Sequence, residues 1–561
     1  MRPSYPHLRA AILAVTFALA TAIIDGVAQT SDPFPNPIAR TTFVAEIADF
    51  AIVPGTPGAA RISVLTASPD GRIFANDQNG PLFQISTDGR RVTTYLNLAN
   101  TPGVDLRSNG EQGFQSFAFH PQFSTPGTPG YGKFYTAHTS SNLSPPADFT
   151  PGGGTDAGDH VILEWSTSNP ETNRFIPADP ASPHREVLRI EGPYGNHTMG
   201  LIAFNPNARP ASADYGLLYV AMGDGGSGGD PLGLAQNPAN PYGTILRINP
   251  LGSDSANGRY GIPPGNPFVG NASGLDEVYA YGLRNPQRFF WDTGGSRRLF
   301  IADIGQAVIE EINVGAAGAN YGWARREGSF PYRGGKVGTN SRSDFATTGY
   351  TYPIAEYDHS EGAAVTVGPV ERTGLIPNLA GRLLFADFPR GRIFLLSADA
   401  LPSGGPSGIT ELRISYQGRE RTFQSIINDR NPTTSRSDLR FGSDLSGRIF
   451  LLNKKDNVIR VLTATPVPLG PRPVVRIRGR NQRVTTSNRR INLRGIARDT
   501  GPIARVEIRN VRLKRRFFPV GGAERWKAKV RLRPGRNAIR VRAIDADDRK
   551  SRPDKIVVLK R

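Results

Sequence analysis

Between residues 44 and 462 one short pattern returns six times: an apolar run, a turn, a segment led by Gly or Arg that ends in an aromatic side chain, and a second apolar run. The copies are Gly71-Arg72-Ile73-Phe74, Gly132-Lys133-Phe134-Tyr135, Gly216-Leu217-Leu218-Tyr219, Arg298-Leu299-Phe300, Gly381-Arg382-Leu383-Leu384-Phe385 and Gly447-Arg448-Ile449-Phe450, about 50–90 residues apart. Each opens a strand-like stretch such as YVAMGD or FIADIG. A strand-rich unit of this size cannot bury its own apolar faces and must pack on its neighbours. Six such units predict an all-β chain whose residues 29–462 form a six-bladed β-propeller. One long β-sandwich is the alternative arrangement. With 63 glycines and 47 prolines among 561 residues, short strands and tight turns suit the chain better than long helices.

The charge is not spread evenly. Residues 471–561 carry 29 Lys and Arg against 7 Asp and Glu, more than the whole +19 of the chain, so the remainder is slightly acidic. A Pro-rich linker, residues 463–473 (TATPVPLGPRP), marks the break. Beyond it, residues 474–561 alternate apolar residues with Arg or Lys in runs such as INLRGIAR and NAIRVRAID, which predicts a small immunoglobulin-like β-sandwich with a cationic outer face. Such a face attracts polyanions through counterion release. An anionic cell-envelope polymer is one expected partner, the plain alternative being the solvated face of a structural module, and nucleic acid is disfavoured because only Phe517, Phe518 and Trp526 are available to stack on bases.

At the other end, Arg2 and Arg9 precede the apolar run Ala10–Ile24 and the small residues Gly26-Val27-Ala28, so residues 1–28 read as an export signal. The run falls short of the ~20 residues that span a bilayer, and no other segment is apolar enough, so no transmembrane segment is expected. The mature protein should be periplasmic or extracellular. An exported chain without cysteine has no disulfide framework, no thiolate nucleophile and no Cys-ligated metal centre.

Polar residues of the kind a site needs are concentrated in residues 195–324. His197, between two glycine-containing turns, is a candidate general base because imidazole titrates near neutral pH. Taken alone it could equally be a loop histidine satisfied by hydrogen bonds. Arg284 and Asn285, in GLRNPQ, set a rigid cationic fork beside an amide and suit a carboxylate or phosphate; the plain alternative is an Arg paired with Asp276 or Glu277. Arg390 stands in the analogous loop one repeat later. Glu311 and Tyr321 flank a Gly/Ala-rich turn and supply hard oxygens of the kind Ca²⁺ takes, or else one structural acid–phenol hydrogen bond. Asp224, among glycines, is either a turn residue or the group that orients a neighbour. The glycines of GDGGSGGD lie outside any βαβ unit, which argues against a nicotinamide fold.

Together these blocks resemble the glucose/sorbosone dehydrogenase family, the soluble propellers that use pyrroloquinoline quinone (PQQ). The resemblance is carried by GEQGFQSFAFHPQF (110–123), HTMGLIAFNP (197–206), GDGGSGGDP (223–231), GLRNPQRF (282–289), ADIGQAVIEEIN (302–313), NYGW (320–323), GRLLFADFPRGRIF (381–394) and SDLRFGSDLSGRIFLL (437–452). It implies oxidation of an aldose or related sugar hydroxyl, with electrons leaving to an external acceptor. His197 and Arg284 take the catalytic positions. Glu111, Arg284, Asn285, Arg390, Arg436 and Arg440 take cofactor-contacting positions, and Gly305, Gln306, Glu311 and Tyr321 fall in the segments associated with Ca²⁺. A cofactor with three carboxylates suits several Arg side chains. The chain departs from the family in having Glu111 and Met199-Gly200-Leu201 where Gln and Gly-Gly-Arg or Gly-Gly-Gln are common. Those departures keep open a non-catalytic, Ca²⁺-stabilised propeller that binds a glycan or protein. A lactonase-type hydrolase with a metal-activated water is a third reading, one that leaves Arg284 and Arg390 without a use.

Overall fold

The computed structural model describes residues 33–55, 58–155, 157–338, 349–464, 473–478, 483–499, 503–513, 516–545 and 550–561. The expected export signal and most of the Pro-rich linker lie outside them. Six four-stranded antiparallel arrays follow one another along the chain. Their first strands are Ile62–Ala67, Phe114–Phe119, Met199–Phe204, Arg288–Trp291, Val365–Val370 and Arg440–Ser443. Each first strand touches the first strand of the next array, and the sixth touches the first, so the ring closes as a six-bladed propeller. The six copies of the sequence pattern coincide with the second strands, Ile73–Asp77, Lys133–Ser140, Leu218–Met222, Leu299–Asp303, Arg382–Asp387 and Ile449–Leu452.

Six apolar clusters lie between adjacent blades, for example Tyr135, Ile162 and Ile190 of the second blade against Ile202, Leu218 and Leu246 of the third. Both faces of each blade are therefore covered. This is why the second strands read as continuous apolar runs rather than alternating ones. Near the axis the inner strands approach so closely that a Cβ at Gly200 would stand 2.6 Å from the carbonyl oxygen of Gln287. Glycine is required there.

The ring is closed by the chain's beginning. Arg40–Ile52 adds antiparallel to Val458–Thr463 as the outermost strand of the sixth blade, and runs parallel to Thr410–Tyr416 of the fifth. Arg460, fully buried, ties this closure with ion pairs to Asp456 (2.6 Å) and Asp49 (3.2 Å).

The C-terminal segment forms two further sheets. One holds Val474–Ile477, Arg490–Arg498 and Arg525–Arg531; the other holds Arg483–Thr486, Asp554–Lys560, Gly535–Asp545, Ile503–Asn510 and Phe518–Pro519. Leu493, Trp526 and Val530 of the first share one core with Val506, Ile508 and Val541 of the second, so the two pack as a small β-sandwich. Among the described residues, no helix is long and apolar enough to cross a membrane.

Candidate active site

The inner strands all leave the same end of the ring. The loops that enter them, and the loops from second to third strands, therefore emerge together at that mouth. In three blades the second strand ends in an Asp whose carboxylate holds the entry loop of its own blade. Asp77 accepts from the Arg61 amide (3.0 Å), Asp303 from the amides of Arg284 (2.8 Å) and Asn285 (2.7 Å), and Asp387 from that of Ala364 (3.0 Å). In the third blade the corresponding acid, Asp224, holds a side chain instead.

That side chain is His197. Its Nδ1 lies 2.6 Å from Asp224 Oδ1, and both groups are buried. Asp224 also accepts from Trp323 Nε1 (2.8 Å) and from the Gly226 amide (3.0 Å). A carboxylate collecting N–H groups accepts from Nδ1 as well, which leaves Nε2 as the basic nitrogen of the imidazole. His197 has φ of 53°, a left-handed conformation that a non-glycine residue holds only under constraint. The constraints are visible: the His197 amide donates to Glu111 Oε2 (2.9 Å), and a Cβ at Gly223 would stand 2.3 Å from the His197 carbonyl oxygen. Asp224, open in sequence between a turn residue and an orienting group, makes both kinds of contact: Gly226 closes a turn on it and His197 Nδ1 meets it.

Glu111 Oε2 also accepts, at 3.5 Å, from Asn285 Nδ2, while Asn285 Oδ1 is buried without a donor. Arg284 departs from its expected pose as a free fork. Its Nη1 donates to the carbonyls of Ile304 (2.9 Å) and Gly305 (2.7 Å), its Nε and Nη2 donate to Gln306 Oε1, and its guanidinium lies 5.6 Å from the Trp323 ring centre. These contacts engage two of the residues expected near Ca²⁺. The oxygens of Gly305 and Gln306 are taken by a guanidinium, and the Tyr321 hydroxyl donates to the Val314 carbonyl (2.7 Å). Glu311 remains buried opposite Asp303 and Glu356, and burial followed by those two carboxylates pushes its own carboxyl well up. Among the described residues, no three His, Asp or Glu side chains converge as a metal cage. Of the four, Glu311 presents an oxygen, Oε2, that is buried without a hydrogen-bond donor.

Two other expected cofactor contacts are engaged with neighbouring groups. Arg390 is exposed and donates to the carbonyls of Ser360 (3.0 Å) and His359 (3.1 Å). Arg436, exposed, pairs with Asp438 (3.0 Å). Arg440, by contrast, is buried at the start of its inner strand, the position that Arg288 holds two blades earlier.

Arg288, Arg440 and Lys454 form a cationic centre that the sequence reading found only through Arg440. Arg440 Nη2 donates to Gln287 Oε1 (2.9 Å), Arg288 Nη2 to Ser63 Oγ (2.7 Å) and Lys454 Nζ to Gln78 Oε1 (2.7 Å). Each of these partners is neutral, and Nε of both arginines is buried without an acceptor. Burial first, then repulsion from Arg440, holds Arg288 and Lys454 well below the usual range; burial, with repulsion from Arg436, brings Arg440 down to about 10 despite Asp438 and Glu111. Buried guanidinium nitrogens without an acceptor suit an anionic ligand. Lys454 had a legible signal: it follows the sixth copy of the repeat, in the same loop that carries Asp224 in the third.

Residues 62–402 match the model of the glucose/sorbosone dehydrogenase family. The chain belongs to that family. It is similar to the HIPL1 protein of Arabidopsis thaliana, 30% identical over 361 residues that make up 57% of this chain and 50% of that protein. It is also similar to the aldose sugar dehydrogenase YliI of Escherichia coli (strain K12), 28% identical over 143 residues, 26% of this chain and 33% of that protein. A solved structure of a glucose dehydrogenase superposes with a TM-score of 0.52 at 17% identity, covering 75% of this chain and 98% of that one, which shows the shared fold. The chain spans about half the length of the curated HIPL relatives it matches.

Proposed function

We propose that this family member is a PQQ-dependent oxidoreductase that oxidises an aldose or related sugar hydroxyl to a lactone or carbonyl, and passes the electrons to an external acceptor. The observation that carries the reading is the juxtaposition, at one mouth, of a carboxylate-held imidazole and a cationic centre whose two buried arginine Nε atoms have no acceptor. The buried, unpartnered guanidinium nitrogens of Arg288 and Arg440, together with Lys454, fit the carboxylates of PQQ, and the orphaned Asn285 Oδ1 leaves one polar atom free beside them. When bound, PQQ supplies a two-electron acceptor that takes hydride equivalents from a carbinol carbon.

His197 Nε2 removes the hydroxyl proton, and Asp224 stabilises the imidazolium that forms and keeps the ring oriented. Trp323 fixes Asp224 and packs on Arg284. No step is derived through Ca²⁺. The similarity to an aldose sugar dehydrogenase supports the reading. Glu111 favours a second one, a propeller that binds a glycan or protein without catalysis, because it adds negative charge beside the cationic centre. We also place the boundary between the propeller and the sandwich at 463–473, and read the chain as exported.

The test is dye reduction by the purified protein with PQQ, with and without added Ca²⁺, on a panel of sugars. His197→Ala should retain PQQ and lose turnover by about 10²–10⁴. Absence of turnover in the parent together with absence of PQQ binding removes the enzyme reading.

A further inference from the structure

The two sheets of the C-terminal sandwich treat their cations differently. On the five-stranded sheet Glu507 neutralises Arg505 (3.0 Å) and Arg542 (2.7 Å), and Phe517 lies over Arg509 (4.6 Å) and Arg542 (4.1 Å). On the three-stranded sheet, among the described residues, nothing comparable occurs. Its strand Arg525–Arg531 buries Trp526 and Val530 and exposes Arg525, Lys527, Lys529 and Arg531. Four cations at alternate positions stand about 7 Å apart, a straight track roughly 20 Å long.

The neighbouring strand doubles it. Arg494 lies directly opposite Lys527, and Arg490 opposite Arg531. Like charges placed directly opposite each other on a sheet are destabilising. Among the described residues, none of Arg490, Arg494, Lys527 and Arg531 has an ion-pair partner. At one end Arg478, Arg494, Arg525 and Lys527 ring a depression of about 440 Å³ with Trp526 in its lining.

We propose that this face binds a linear acidic polysaccharide, with the depression receiving one anionic sugar unit and the track following the chain. A row of cations at even spacing matches a polymer whose anionic groups recur evenly, and Arg forks suit carboxylate or sulfate. Single-stranded nucleic acid is the poorer match because the face offers no aromatic ring for base stacking: Trp526 is 2% exposed. The proposal is independent of the oxidoreductase reading, since it concerns a different domain and needs no turnover.

The test uses the full chain, with heparin and polygalacturonate as probes, neutral dextran as blank and a single-stranded oligonucleotide as competitor. The parent should bind both anionic probes with an affinity that falls linearly in log salt. Lys527→Gln/Lys529→Gln should weaken binding at least about tenfold at 0.1 M salt and lower the salt slope by about 1.5–2. Arg505→Gln/Arg542→Gln, which removes two cations from the opposite sheet, should weaken it by less than about threefold. Both positions of the track chosen for change are exposed, so unchanged circular dichroism is expected. Equal loss in the two double variants, no binding by the parent at low salt, or displacement of both polysaccharides by the oligonucleotide at lower concentration would each overturn the proposal.

Discussion

Replacing Arg460 by Met tests what closes the propeller. The Arg460 side chain is fully buried, bonded to Asp456 Oδ2 at 2.6 Å and to Asp49 at 3.2 Å, with the rings of Phe423 and Tyr416 5.7 and 5.9 Å away. Asp49 retains a second cation, Arg430, at 2.9 Å. Asp456 does not: its Oδ1 accepts from Asn453 Nδ2 (2.7 Å) and the Val458 amide (3.0 Å), but Oδ2 has Arg460 alone. Arg460→Met therefore strands one buried carboxylate, which costs about 3–5 kcal/mol. Against a typical stability of 5–15 kcal/mol this is a large share. The loss should appear in urea unfolding and, more locally, as faster hydrogen exchange in the closing strand Arg40–Ile52. Adding Asp456→Asn removes the stranded charge, so the double variant should recover at least about half the loss. A single-variant loss under 1 kcal/mol, or no recovery in the double variant, would refute the assignment of this ion pair as the ring's fastening.

Two further outcomes are expected. Burial holds His160 neutral, with its pKa down at about 4, so the stability it contributes is complete above the unfolded value near 6.5 and is lost as pH falls toward 4. His160→Leu should accordingly gain on the parent by about 2 kcal/mol between pH 7 and pH 5 in urea unfolding, and an unchanged difference at the two pH values would contradict this. Limited proteolysis should cut within residues 463–473 and yield two stable pieces, which a ladder of cuts through either piece would contradict.

Much of the architecture was legible because the repeat is local. Each copy marks a second strand, where an apolar run covered on both faces leaves its trace in consecutive residues. His197 and Asp224 were legible for a similar reason, being one strand pair apart within a single blade. The role of Arg284 was not. Its partners, the oxygens of Ile304, Gly305 and Gln306, come from the next strand loop, and the family resemblance had set two of those residues, Gly305 and Gln306, in segments associated with Ca²⁺. The cationic centre was hidden further still. Lys454 meets Gln78 from the far end of the propeller, and Arg288 and Arg440 become neighbours only when inner strands from separate blades converge on the axis. Desolvation, which makes that centre chemically distinctive, has no signature in sequence.

The central claim, that the mouth holding His197 is built for an anionic quinone, is met most directly by an equilibrium titration of PQQ into the full chain, followed through tryptophan fluorescence because Trp323 borders the site. Saturable one-to-one binding that weakens at least about tenfold in Lys454→Gln, consistent with loss of one of the three cations of the centre, is the predicted result. Absence of saturable binding, or binding that Lys454→Gln leaves unchanged, would contradict it.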